Sequence, residues 1–240
     1  MFDDVINFRD FYETLLGQRA AAMIRHHIRP FWQRETDLCS AFIGYAAPFI
    51  DADATPIGMM PARRGAAIWP ATGPVRTCLV QPDMLPLPDV HLDRLLLIHA
   101  LEFEPDPGQF LDECWRVLDG AGRLFVVVPN RGGIWARTER TPFGHGQPYS
   151  GYQLRRLLQS HGFELRRMVR AVFMPPIASP MMLRFAPGIE RIGSVWWAAM
   201  GGVLLVEADK ILYAPSGNKR KLHSRASARA VLAGQQRDRL

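Results

Sequence analysis

The sequence predicts an α/β protein whose mostly parallel sheet lies between helices. Strand-like and helix-like segments alternate through most of the chain, the pattern of repeated βαβ units. The strand-like segment Leu95–Ile98 is continuously apolar, as suits a strand covered on both faces. No internal repeat and no linker-like composition interrupts the chain before Gly217. The expected organisation is one domain over residues 1–216 and a basic, disordered tail over 217–240.

In chain order, Phe11, Leu15, Leu16, Met23, Ile24 and Ile28 recur at helical spacing and predict an amphipathic helix over residues 11–29, ended by Pro30. A strand follows from Leu38 to Ile43. It runs into the turn Gly44-Tyr45-Ala46-Ala47-Pro48. Short apolar pieces at Ile57–Met60 and Thr77–Val80 are stopped by Pro61 and Pro82. Phe110, Leu111, Cys114, Trp115 and Leu118 line one helical face, with Gly120 as the stop. Arg123–Pro129 is the clearest strand: short, β-branched and ended by proline. Ser150 and Gln153 form a capping-box pattern ahead of Leu154, Leu157 and Leu158, and Gly162 closes that helix. Two further strands are expected around 163–173 and 203–213. The excursion between them, Met174–Gly202, is rich in Met, Pro and Trp and is expected to fill core beside the sheet.

Composition bounds the function. The chain has 240 residues, 48% hydrophobic and 22% charged, enough apolar content for a sizeable core. Cys39, Cys78 and Cys114 lie far apart, without the spacing of a metal site. Buried thiols in a reducing compartment and no bound metal are the expectation. The N-terminus lacks the pattern of a secretion signal. The apolar segment Ile192–Val206 is shorter than the roughly 20 residues that a membrane crossing takes. These points lead to an expected cytoplasmic location without membrane contact. The net charge of +6 resides in residues 217–240, where seven basic residues stand against Asp238. Such an arm either contacts nucleic acid or an acidic partner, or is simply solvated.

The segment "DRLLLIHALEFEPDPGQFLDECWRVLDGAGRLFVVVPN" resembles the class I S-adenosylmethionine (SAM) dependent methyltransferases. Arg116-Val117-Leu118 precedes Asp119-Gly120-Ala121-Gly122, and Val126-Val127-Val128-Pro129-Asn130 follows. Upstream, Leu85-Pro86-Leu87 stands where the family has an L-P-F element. The likeness covers about residues 38–165 and is nearest to a bacterial, methyltransferase type 11-like subgroup. It implies a Rossmann-like three-layer sandwich, with a seven-stranded, mostly parallel sheet whose last strand is antiparallel. It also implies SAM as cofactor.

A SAM site at the strand ends needs a tight glycine turn, an acid after the second strand for the ribose, and a polar group after the third for the adenine. Gly44 meets the first need, with Tyr45 as a possible cover and Ala46 and Ala47 in place of later glycines. Met60 stands where the ribose acid belongs, and losing a charged acceptor costs about 1.5–3 kcal/mol. Gln81, Asp83 and Met84 stand at the adenine position; the polar two are either ligands or turn residues. The resemblance puts His99 near the sulfonium. Glu102 and Glu104 read as a loop cap or solvated acids. The stretch Asn130–Tyr149 is long for a βα connection. It carries the substrate-side candidates Arg131, His145 and Tyr149 among glycines, and forms either a hinged lid or a short helix or interface loop.

The first reading is a SAM-dependent methyltransferase with an unidentified acceptor. The alternative is a non-catalytic scaffold of the same fold with a degenerate cofactor site. A dinucleotide-dependent oxidoreductase is a weaker third, since G-x-G-x-x-G is missing after the first strand.

Overall fold

The structure, a computed structural model, describes residues 5–32, 38–50 and 55–212. The expected tail at 217–240 lies outside the described residues. The elements in chain order are α1 (Val5–Glu13), α2 (Leu15–Trp32), β1 (Ser40–Gly44), β2 (Ile57–Pro61), β3 (Thr77–Val80), β4 (Leu92–Ile98), α3 (Pro107–Val117), β5 (Leu118–Pro129), α4 (Gly151–Ser160), β6 (Phe163–Ala171), α5 (Pro180–Trp196) and β7 (Val203–Lys210). Short 3₁₀ turns join several of them.

The seven strands form one sheet in the order β3-β2-β1-β4-β5-β7-β6. All neighbouring pairs are parallel except those made by β7, which runs antiparallel to both β5 and β6. Alternation of side chains then divides the core. Phe42, Met60, Leu96, Ile98, Phe125 and Leu205 face a cluster with α1, α2 and α5. Ala41, Ile43, Met59, Leu95, Leu97 and Val126 face a second cluster with α3 and α4. The result is the three-layer sandwich. The order reverses between β1 and β4, whose carboxyl ends therefore flank the crevice where such sheets hold ligands.

Local sequence explains most boundaries. The Ser150–Gln153 capping box forms in full, each side chain meeting the other residue's backbone N–H. Asp106 caps α3 by accepting from the N–H groups of Gly108 and Gln109.

The single helix expected over residues 11–29 is instead two. At Thr14 the chain turns: Thr14 Oγ1 donates to Phe11 O at 2.6 Å and accepts from Gly17 N at 3.0 Å. A Cβ on Gly17 would stand 2.0 Å from Phe11 O, so the elbow demands glycine there. Pro30 does not stop α2, which continues to Trp32. A proline forfeits only its own hydrogen bond and crowds one carbonyl, and here it sits in the last turn. The excursion 174–202 is also not core filler throughout. Leu183, Ala186 and Gly193 of α5 are buried, but Met181, Phe185, Ile192, Val195, Trp196 and Trp197 are exposed.

Candidate functional site

The site is built at the carboxyl ends of β1, β2, β3 and β4. Gly44 ends β1 with φ +97°, and a Cβ there would lie 2.1 Å from Ile98 O at the end of β4. Only glycine lets the two strand ends approach this closely. Tyr45 N then donates to the same Ile98 O at 3.1 Å. Tyr45 and Ala46 are buried.

Immediately after β4, His99 adopts φ +52°, a conformation that costs about 1–3 kcal/mol and clusters at functional sites. Its ring is 1% exposed. Nε2 accepts the Tyr12 hydroxyl at 2.6 Å, with Nδ1 as the protonated ring nitrogen in this arrangement. Glu102 Oε1 lies 3.3 Å from Nδ1, a close approach whose alignment leaves neither atom with a formed hydrogen bond. The other carboxylate oxygen, Oε2, accepts from Ala100 N at 3.1 Å. Phe8 stacks on the imidazole at 4.8 Å between ring centroids, and Phe143 tilts against it at 5.2 Å. Burial, then the charge of Glu102 and the neighbouring Tyr45, push the Tyr12 phenol well above its ordinary range. The result is a dry chain of polar groups, Glu102–His99–Tyr12, inside an aromatic box.

Beside it opens a cavity of about 440 Å³ at the ends of β2 and β3. Pro61, Arg63 and Arg64 form one wall, Gln81 and Asp83 a second, and Phe103 and Glu104 a third. Arg64 lies over the Phe103 ring at 3.6 Å. Burial raises the Glu104 carboxyl, while Arg64 and Arg63 pull it back.

Several residues fall differently from their expected places. Met60 is fully buried in the core, its sulfur accepts from Ala67 N at 3.0 Å, and it does not line the cavity. Met84 is 69% exposed and lies outside the cavity lining. Of the two readings of Glu102, the loop cap is the one seen: it is buried and accepts from Ala100 N. Gln81 and Asp83 line the cavity. On the far side, Arg131 is exposed, and His145 Nε2 meets Glu139 O within its own loop at 2.7 Å. Tyr149 is buried and its phenol is pushed up to about 12, by burial and then by Glu102.

The stretch 130–149 is a packed roof, not a loose lid. Trp135 is 1% exposed and donates from Nε1 to Met174 O at 2.6 Å. A Cβ on Gly202 would stand 2.5 Å from the Trp135 ring. Phe143, from the same roof, reaches Trp135 at 5.5 Å and His99. Phe8, Tyr12 and Phe143 escaped sequence reasoning because apolar periodicity assigns aromatics to core without saying what they cover.

A family model described as a methyltransferase domain matches residues 49–126. A protein of Mycolicibacterium smegmatis named a "probable S-adenosylmethionine-dependent methyltransferase" is 36% identical over 83 residues, 34% of this chain and 32% of that protein. One of Mycobacterium tuberculosis, similarly named, is 45% identical over 47 residues, 20% of this chain and 17% of that protein. The matches thus span about a third or less of these curated relatives. Among solved structures, a SAM-dependent methyltransferase of Thermotoga maritima superposes with a TM-score of 0.59 at 18% identity, covering 86% of this chain and 96% of that one. The chain has the fold of the class I SAM-dependent methyltransferases, and residues 49–126 match a methyltransferase-domain model. The [4+2]-cyclase SpnF has the same methyltransferase fold, with a TM-score of 0.54 at 17% identity and coverage of 78% and 80%. The fold alone therefore does not name a reaction.

The residues present fit the adenosyl part of SAM. The cavity volume falls within the roughly 300–1,000 Å³ usual for small-molecule sites. Its polar lining includes Gln81 and Asp83, and Asp83, Glu104 and Asp106 outnumber Arg63 and Arg64, a balance that favours a cationic ligand. The place beside Gly44 differs, because Phe8, Tyr12 and Tyr45 fill it.

Proposed function

We propose that the protein is a cytoplasmic SAM-dependent methyltransferase acting on an acceptor still to be identified. The observation that supports this best is the cavity at the ends of β2 and β3, with Gln81 and Asp83 in its wall. When bound, SAM supplies an electrophilic methyl group. Gln81 and Asp83 would meet the adenine amine, and the ribose would lie near Arg63 and Arg64, with buried Met60 in place of a ribose carboxylate. The α1 aromatics Phe8 and Tyr12 would have to shift to admit the amino-acid arm, after which they would screen it from water. Should the acceptor have to lose a proton, Tyr12 Oη would pass it to His99 Nε2, with Glu102 steadying the ring's charge.

Isothermal titration with SAM and with S-adenosylhomocysteine tests this reading. Binding of either, weakened about tenfold by Asp83→Ala, supports it. No binding at high micromolar ligand would leave the scaffold alternative, which the filled space beside Gly44 favours.

Titrating SAM across pH adds a second check. Glu104 has a raised pKa, so in the free protein it takes up a proton above the usual carboxylate range. A cation in the cavity favours the ionised form. SAM affinity is therefore expected to fall as pH drops through that raised pKa, and Glu104→Gln should flatten the dependence. The linkage to folding runs the other way. Because the folded pKa lies above the unfolded one, Glu104 costs stability as pH rises through this window and relieves that cost as pH falls.

A further inference from the structure

Helix α5 carries two opposed apolar faces. Leu183, Ala186 and Gly193 point inward, with a Cβ on Gly193 only 2.5 Å from Phe173 Cβ. The other face is a stripe at helical spacing, Met181, Phe185, Ile192, Val195 and Trp196, continued by Trp197. Val195 and Trp196 are 74% and 78% exposed. A stripe of this size, ending in paired tryptophans, is more than the scattered apolar surface of an ordinary monomer.

The charges around the stripe are mostly basic. The acid of α5, Glu190, is turned inward, where its two oxygens accept from Val172 N and Phe173 N at 2.7 Å each. The exposed charges of the helix are Arg184 and Arg191. Alongside runs a groove of about 520 Å³ between α2 and α5, to which Arg19, His26, His27, Arg170 and Arg191 contribute together with one acid, Glu190. Arg170 Nε is buried there without a hydrogen-bond partner. The apolar parts of the groove are Met23, Phe173 and Pro187.

We infer that this face seats the protein on an anionic phospholipid surface, with Trp196 and Trp197 at the headgroup level and lipid phosphates against the arginines of the groove. Amphipathic helices that lie in a membrane interface combine these parts: an apolar stripe, interfacial tryptophan and flanking basic residues. A second copy of the chain fits less well, because a two-fold contact would set Arg184 and Arg191 near their own copies. No described helix is long and apolar enough to cross a membrane, so the contact is peripheral. It departs from the expectation of no membrane contact, and it does not depend on methyl transfer.

The test is flotation of the full chain with phosphatidylcholine vesicles, with and without phosphatidylglycerol. Tryptophan emission is followed in parallel. Binding is expected to the phosphatidylglycerol vesicles, with a blue shift. The double variant Trp196→Ser/Trp197→Ser should lose binding at least about tenfold and lose the shift. Arg184→Glu with Arg191→Glu should cost roughly fivefold per arginine on the anionic vesicles alone. All four positions are exposed, so circular dichroism should match the unaltered protein. Binding that survives the tryptophan variant would overturn the inference and assign the affinity to the basic residues at 217–240. Equal binding to neutral vesicles would overturn it, as would no binding at all. A stable dimer whose tryptophans are already blue-shifted without lipid would overturn it in favour of self-association.

Discussion

Replacing Gly44 with alanine is expected to lower folding stability by about 2–5 kcal/mol. Two costs add. A left-handed conformation costs an L-residue about 1–2 kcal/mol, and Gly44 sits at φ +97°. Overpacking costs roughly 1–3 kcal/mol more, and the new Cβ would stand 2.1 Å from Ile98 O, a backbone atom that cannot rotate away. For a domain of this size the thermal midpoint should fall by roughly 5–15 °C, measured by circular dichroism or calorimetry. A midpoint within a degree or two of the parent would mean that β1 and β4 do not meet as described. The same variant should also weaken SAM, because parting these strand ends shifts the cavity beside them.

His99→Ala carries the second large effect. It removes a fully buried ring, leaves the Tyr12 hydroxyl without its acceptor and leaves Glu102 facing a void. Orphaning a buried polar group costs about 1–3 kcal/mol, and deleting a large core side chain costs about 2–5 kcal/mol. A total of about 3–8 kcal/mol is expected in urea unfolding. The variant His99→Phe separates the parts. It keeps most of the ring contacts with Phe8 and Phe143 and loses only the polar chain, so its loss should be clearly smaller. Equal losses for both would show that the polar chain, and not the packing, holds the box together.

The fold was largely legible because its local signals agree. Val126, Val127 and Val128 can hardly be anything but a covered strand, and Ser150 with Gln153 announces a helix start on either reading of the residues around it. The break at Thr14 was hidden because one threonine serves two helices, and the hydrophobic period runs on across the elbow. The outward face of α5 was hidden for a related reason. An apolar helix reads the same whether its second face meets core or water, and only the sheet's position decides. In the site, Gly44, Gln81, Asp83 and His99 were legible from their places after strands. Tyr12 was not, because its bond to His99 joins residues 87 positions apart, a pairing on which periodicity is silent. Met60 was legible as a missing acid but not as a core residue bonded to Ala67 N.

Trp135 has one more consequence. Its indole nitrogen holds Met174 at the start of the excursion, and its ring abuts Gly202 at the end. One side chain thus ties both ends of the excursion that carries α5, and it also leans on Phe143 and, through it, on the box around His99. Force applied to the outer helix has a short mechanical route to the interior histidine, so whatever grips the one is placed to adjust the other.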